Sequence, residues 1–207
     1  MESYCKQNNI VLIFDEIITG VRSYKFSIQN NYKIKPDITT TGKIFGGGLP
    51  IGIIGISEKV KKKITKKNSK IFFGGTFSGN SLSTYIGNET LKYLMENNKI
   101  ISTLNKKSKY FQDNLNNFIE QQKLDLKIYR YASILRIVYT KNNLKNRIQR
   151  DFFESKNSIK IKKFKNYLFK NKIYYPSSGI IFFSDKTSYQ NINRVIKHIK
   201  NGFKKFF

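Results

Sequence analysis

The sequence predicts an α/β fold whose second half shifts to a smaller α+β arrangement. Three observations predict it. Ile10-Val11-Leu12-Ile13-Phe14 is an unbroken apolar run, the pattern of a strand covered on both faces, and it stops at the acidic pair Asp15-Glu16. Short β-prone segments then alternate with glycine-rich turns as far as Asn80. From Leu82 apolar residues recur at three- and four-residue spacing, and from about Leu126 short strand-like segments return among helices. The change of pattern divides the chain into residues 1–100 and 101–207.

Composition excludes several classes of function. No apolar run is long enough to span a membrane, and the first residues lack the charged-then-apolar order of a signal peptide. The single cysteine, Cys5, excludes an internal disulfide and fits a reducing compartment, so a cytoplasmic protein is expected. The net charge of +26 raises the question of nucleic acid. However, 33 of the cations are lysine against 6 arginine, and they are dispersed among many Asn and Ile. Lys, Asn and Ile are what an A/T-rich genome encodes, so codon bias accounts for much of the charge. The densest clusters, Lys61-Lys62-Lys63 and Lys160 to Lys165, read as solvated helix faces. Nucleic-acid binding is not expected as the main function, and a basic binding module is the non-enzymatic alternative.

In order along the chain, Ile10–Phe14 is the first buried strand, and Ile38-Thr39-Thr40 after Pro36-Asp37 is the second. Asp15 and Lys43 stand at the ends of these segments, so adjacent parallel strands bring both to one crevice at the strands' carboxyl ends. Ile51–Ile56 is a third buried strand, followed by a helix that Ser57 caps with Glu58 in its first turn. Ile71-Phe72-Phe73 is a short strand leading to Gly74–Asn80, a cluster of glycine, hydroxyl and amide groups suited to phosphate. Leu82, Tyr85, Ile86, Leu94, Met95, Leu104, Phe111, Leu115 and Phe118 form a core stripe on a helix or helix pair, interrupted at Asn97-Asn98. Ile134–Tyr139 is a half-exposed strand, and Phe152–Phe169 is helical with a break around Ser155–Ser158. Ile173–Tyr175 and Gly179–Phe183 are short strands. Thr187-Ser188-Tyr189-Gln190 fits a capping box for a last helix that buries Ile192, Val195, Ile196, Ile199 and Phe203. His198 lies at the boundary of that stripe, and neither a metal-ligand spacing nor a Ser/His/Asp arrangement is present.

The chemistry centres on Lys43, which follows three threonines and Gly42 and precedes Gly46-Gly47-Gly48. Glycine permits positive φ and a close approach of backbone to a ligand. A lysine buried or half-buried in such a turn can lose its proton and attack a carbonyl. The same residues also fit a surface lysine beside a glycine turn, and both readings stay open on this stretch alone.

Three motifs in order then carry a resemblance: Leu12-Ile13-Phe14-Asp15-Glu16-Ile17-Ile18-Thr19-Gly20-Val21-Arg22, Lys35-Pro36-Asp37 through Lys43 to Gly52, and Gly75-Thr76-Phe77-Ser78-Gly79-Asn80. Together they resemble the class III pyridoxal-phosphate aminotransferases, most closely the glutamate-1-semialdehyde 2,1-aminomutase branch. The dense match covers about residues 10 to 95.

The resemblance implies a partial fold-type I transferase. Residues 1–100 would be the C-terminal part of the large, mixed-sheet cofactor-binding domain and 101–207 the small α+β C-terminal domain. It implies pyridoxal 5'-phosphate as cofactor, held by Lys43 as a Schiff base, with the freed Lys43 amine moving the proton during catalysis. Asp15 would pair with the pyridine nitrogen, Ile17 would pack on the ring from the face of Asp15, and Gly75 and Thr76 would reach the phosphate. That phosphate usually belongs to the neighbouring subunit, which implies a homodimer with shared sites acting on a small amino or keto substrate. Glu16 and Arg22 would have supporting roles. Ser81 stands where the family usually has proline, which would loosen the next helix start. The family's chains are much longer, and this sequence resembles their C-terminal half. The expectation is a partial chain with one side of its sheet exposed, a half-built pocket and little activity alone. Another class III aminotransferase acting on a keto or sugar substrate, or a degenerate basic fragment, are the alternatives.

Overall fold

The computed structural model describes residues 1–66, 71 and 74–207, which divide into two compact units, Met1–Ile101 and Ser102–Phe207. In the first unit, helix α1 (Glu2–Gln7) precedes strand β1 (Ile13–Asp15) and helix α2 (Ile28–Tyr32). Strand β2 (Ile38–Gly42) runs directly into a 3₁₀ turn, Lys43–Gly46, and strand β3 (Gly52–Ile56) returns beside it. Helices α3 (Glu58–Ile64) and α4 (Ser81–Glu96) follow. The Ser57 side chain caps α3 by accepting from the Val60 N–H, as its sequence predicts, and Lys61, Lys62 and Lys63 lie on the solvated face of that helix. The anticipated strand at Ile71–Phe73 lies outside the described residues apart from Ile71, which is in no strand.

The sheet order is β1-β2-β3, with β1 parallel and β3 antiparallel to β2. Residues directly opposite one another share a face. The register therefore places Ile13, Ile38 and Ile56 in one row and Asp15, Thr40 and Ile54 in the next, on the same side. Ile13 is 57 % exposed, Ile54 64 % and Ile56 39 %. The expectation that Ile10–Phe14 and Ile51–Ile56 are covered on both faces is thus corrected: this face, the one that carries Asp15, has no cover among the described residues. On the opposite face a side chain of α2 reaches the sheet, where the Thr39 hydroxyl donates to Gln29 Oε1 at 2.9 Å. Leu12 is buried beside it, and its N–H donates to Asp37 Oδ2 at 2.9 Å. A small core of Val21, Leu94 and Ile101, with Phe26, Ile44 and Phe45 against it, ties the loop after β1, the Lys43 turn and α4 together.

The second unit contains most of helix α5 (Lys99–Gln121), strands β4 (Lys127–Tyr131) and β5 (Ile134–Val138), helices α6 (Arg147–Lys156) and α7 (Ser158–Lys170), strand β6 (Ile180–Ile181) and helix α8 (Tyr189–Phe206). The three strands form an antiparallel sheet, β4-β5-β6. Its core gathers Phe111, Leu115, Ile128, Leu135, Ile137, Phe164, Leu168, Ile192, Ile199 and Phe203. Gly202 is required where α8 meets α7, because a Cβ there would lie 2.6 Å from the Phe164 ring. His198 is half-buried near the Tyr167 ring, with centroids 6.5 Å apart.

The break between α4 and α5 falls at Asn97-Asn98 as the sequence indicates, but Leu82, Tyr85 and Met95 of the presumed core stripe are exposed. Periodicity finds the helices, yet the three exposed residues all lie on α4, whose burial depends on what packs against it rather than on its own spacing. The break between α6 and α7 is at Asn157, inside the expected interval. Strand β4 was not anticipated, and Ile173–Tyr175 forms no strand. The cap of α8 is Ser188, which accepts from the Asn191 N–H, while Thr187 Oγ1 accepts from the Ser184 N–H. The capping box is therefore one residue out of register.

Candidate active site

Asp15 ends β1 and is positioned by two donors on one oxygen. Its Oδ1 accepts from the Ile17 N–H at 3.0 Å and from the Thr40 hydroxyl at 3.3 Å. The first of these closes a local turn, so Ile17 is not a continuation of the strand and its face cannot be assigned by strand alternation. Glu16 points the other way and is 1 % exposed. Its two oxygens accept from the Thr19 hydroxyl and, at 2.9 Å, from the Gln29 N–H. That geometry makes Glu16 the clasp of the loop between β1 and α2. Burial holds the Arg22 guanidinium below the ordinary arginine value.

Lys43 leaves β2 through Gly42. A Cβ on Gly42 would lie 2.8 Å from the Ile51 carbonyl oxygen, which explains a glycine just before the lysine. Lys43 has φ +51, in the left-handed region that side-chain-bearing residues rarely adopt, and it opens the 3₁₀ turn that ends at Gly47 with φ +59. Its side chain is exposed. The burial suggested above as the route to a neutral amine is thus not supplied by the described residues.

Residues 76–79 form a turn in which the Ser78 N–H donates to the Gly75 carbonyl at 2.9 Å and the Asn80 N–H to the Phe77 carbonyl at 3.2 Å. Asn80 Oδ1 accepts from the Ser83 N–H at 3.0 Å and caps α4. The helix starts at Ser81 without the proline, and the Asn80 cap satisfies one of its free N–H groups.

An open cavity of about 1070 Å³ is lined by Lys43, by Ile51–Ile54 of the β3 segment, by Gly75–Asn80, and by Ser83 and Thr84. Lys43, Gly75 and Thr76 therefore share one cavity, whereas Asp15 and Ile17 are not in its lining. Ser83 and Thr84 were not singled out from sequence. Their signal is positional: they follow the Asn80 cap by three and four residues and so return to the same end of the helix. Among the described residues, no group of His, Cys, Asp and Glu could hold a metal ion, and no helix is long and apolar enough to cross a membrane.

A lysine on a turn with positive φ, a strand-end carboxylate and a glycine-hydroxyl loop at a helix N-terminus thus stand in one α/β unit. The family model for class-III aminotransferases matches residues 1–154, and the chain belongs to that family. The glutamate-1-semialdehyde 2,1-aminomutase of Methanococcus vannielii is 36 % identical over 173 residues, covering 84 % of this chain and 39 % of the relative. That of Caldicellulosiruptor saccharolyticus is 31 % identical over 208 residues, covering 100 % and 48 %. The chain thus spans less than half the length of these relatives. Its fold matches the glutamate-1-semialdehyde aminomutase of Pseudomonas aeruginosa with a TM-score of 0.85 at 15 % identity, over 99 % of this chain and 47 % of that one. An ω-transaminase from Sphaerobacter thermophilus matches with a TM-score of 0.83 at 19 % identity, over 98 % and 46 %. The fold is accordingly that of part of a fold-type I transaminase.

Proposed function

We propose that this chain is the lysine-bearing part of a pyridoxal-phosphate-dependent aminomutase, converting glutamate-1-semialdehyde to 5-aminolevulinate. Residues 1–100 are its share of the large cofactor-binding domain, and 101–207 are the small domain. The observation that carries the reading is Lys43 on the turn that leaves β2, beside the parallel strand β1 that ends in Asp15, in a chain 36 % identical to such an aminomutase.

The donor set fits the cofactor. Lys43 offers the primary amine that a cofactor aldehyde requires. Gly75 and Thr76 offer a backbone and a hydroxyl group to the phosphate of the neighbouring subunit's cofactor at the N-terminal end of α4, where the helix dipole favours an anion. Asp15 offers a carboxylate, and among the described residues both of its hydrogen bonds fall on Oδ1, which leaves Oδ2 for a ring nitrogen. When bound, pyridoxal phosphate supplies an electron sink for charge left on carbon when a proton departs. Asp15 would hold a proton at the ring nitrogen, Ile17 would pack beside the ring, and the Lys43 amine would carry the proton between the two carbon atoms that exchange it. A homodimer sharing its sites between subunits, a small amino or keto substrate and a cytoplasmic location complete the reading.

The test is direct. The chain, with and without a polypeptide supplying the remainder of a relative's length, is mixed with pyridoxal phosphate, reduced with borohydride and mapped by peptide mass spectrometry. A reduced adduct concentrated on Lys43 is expected. Labelling spread evenly over the lysines in both preparations overturns the reading. Product analysis with glutamate-1-semialdehyde against other amino donors then separates the aminomutase from a general class III aminotransferase.

A further inference from the structure

Helix α4 reaches two parts of the cavity. Its first turn carries Ser83 and Thr84 into the lining, directly after the Asn80 cap. Two turns along, it rests on the Lys43 turn, and glycines stand on both sides of that contact. On the helix, a Cβ on Gly87 would lie 3.0 Å from the Phe45 carbonyl oxygen and 3.2 Å from Ile51 Cδ1. On the turn, a Cβ on Gly47 would lie 2.8 Å from Ile86 Cγ2 and against the Thr90 hydroxyl oxygen. The contact that matters most is with a backbone carbonyl, which cannot swing aside as a long side chain can. A packed interior transmits such an intrusion as displacement.

The turn that receives this contact starts at Lys43 with φ +51. A side-chain-bearing residue stays in that region only where its surroundings hold it there. The described surroundings are Gly42 against the Ile51 carbonyl on one side and α4 on the other.

We infer that Gly87 is a positioning residue for Lys43: by omitting a side chain it lets α4 clamp the Lys43–Gly47 turn, and the clamp holds the lysine in its left-handed conformation with the amine directed at the cavity. The inference rests on the reading of Lys43 as the cofactor-binding lysine. Gly87→Ala forces the helix and the turn apart by a few tenths of an ångström. Lys43 then relaxes and its amine loses its aim. Helix propensity alone points the other way, since alanine favours a helix interior over glycine.

The experiment compares labelling of Lys43 with labelling of Lys59, an exposed lysine on α3, after pyridoxal phosphate and borohydride treatment of the full chain. The wild-type ratio is expected to be well above one. In Gly87→Ala it falls roughly tenfold toward one, since small misplacements of a reacting group cost large factors in rate. Asn88→Ala, on the exposed neighbour, leaves the ratio unchanged while raising helix propensity. Circular dichroism and a thermal melt establish that each variant is folded. Should Gly87→Ala fail to fold, Ile86→Ala removes bulk from the same contact without adding an atom and is expected to lower the ratio severalfold. A high wild-type ratio retained in the folded variant overturns the positioning role alone. A wild-type ratio near one, both alone and with the polypeptide that supplies the remainder of a relative's length, overturns both the role and the reading beneath it.

Discussion

The Thr40 hydroxyl donates to Asp15 Oδ1 at 3.3 Å across the parallel pair of β1 and β2. The bond joins the strand that presents the carboxylate to the strand that leads into Lys43. It also commits one carboxylate oxygen to the protein and orients the other.

Replacing the carboxylate tests its role. Asp15→Asn in the chain completed by the remainder of a relative is expected to lower single-turnover transamination by on the order of 10² to 10³, the effect of removing one preorganised electrostatic partner. Capture of cofactor on Lys43 persists. Thr40→Val leaves the carboxylate and loses only an orienting bond, so its rate falls about fivefold. An unchanged rate in Asp15→Asn removes Asp15 from the proposed mechanism.

The neighbouring carboxylate has a different task. Glu16→Ala leaves the Gln29 N–H and the Thr19 hydroxyl without their buried acceptor and is expected to destabilise the first unit by about 2 kcal/mol. Glu16→Gln keeps one acceptor oxygen and recovers part of the loss. Urea denaturation of the chain measures both. A midpoint within error of wild type for the alanine variant contradicts the clasp described for Glu16.

Alkaline stability reports on the second unit. Burial raises Tyr139 strongly and pushes Tyr175 up to about 12. An unfolded tyrosine ionises near 10. Between about pH 10 and 12 the unfolded chain therefore binds fewer protons than the folded one, so stability is full below pH 10 and falls as pH rises. For Tyr175 alone the loss is about 3 kcal/mol across that interval. Tyr175→Phe removes that share, and its denaturation midpoint is expected to fall less steeply over the same range. An identical slope in the variant excludes Tyr175 as a source.

Local pattern carried much of this molecule. Ser57, the break at Asn97-Asn98 and the buried stripe of α8 were legible because caps and helical periodicity depend on residues close in sequence. The Lys43 and Gly75-Thr76 motifs were legible because their composition is unusual. Strand coverage was not. Apolar runs at Ile10–Phe14 and Ile51–Ile56 announce segments that need burial, but whether anything lies over Ile13, Ile54 and Ile56 depends on distant chain. The face of Ile17 was not legible for a related reason: a single hydrogen bond to Asp15 turns the chain before strand alternation can apply.

By itself the sequence determined the family, the order of β1, β2 and the lysine turn, and the residue types available for chemistry. These follow from local spacing and side-chain identity. Only the tertiary structure decided that Lys43 and Thr76 line a common cavity, that Asp15 sits outside that lining on an uncovered face, and that two glycines bring α4 onto the lysine turn. Each of those depends on which segments far apart in the chain meet or fail to meet, set by volume and register rather than by the preference of any one residue.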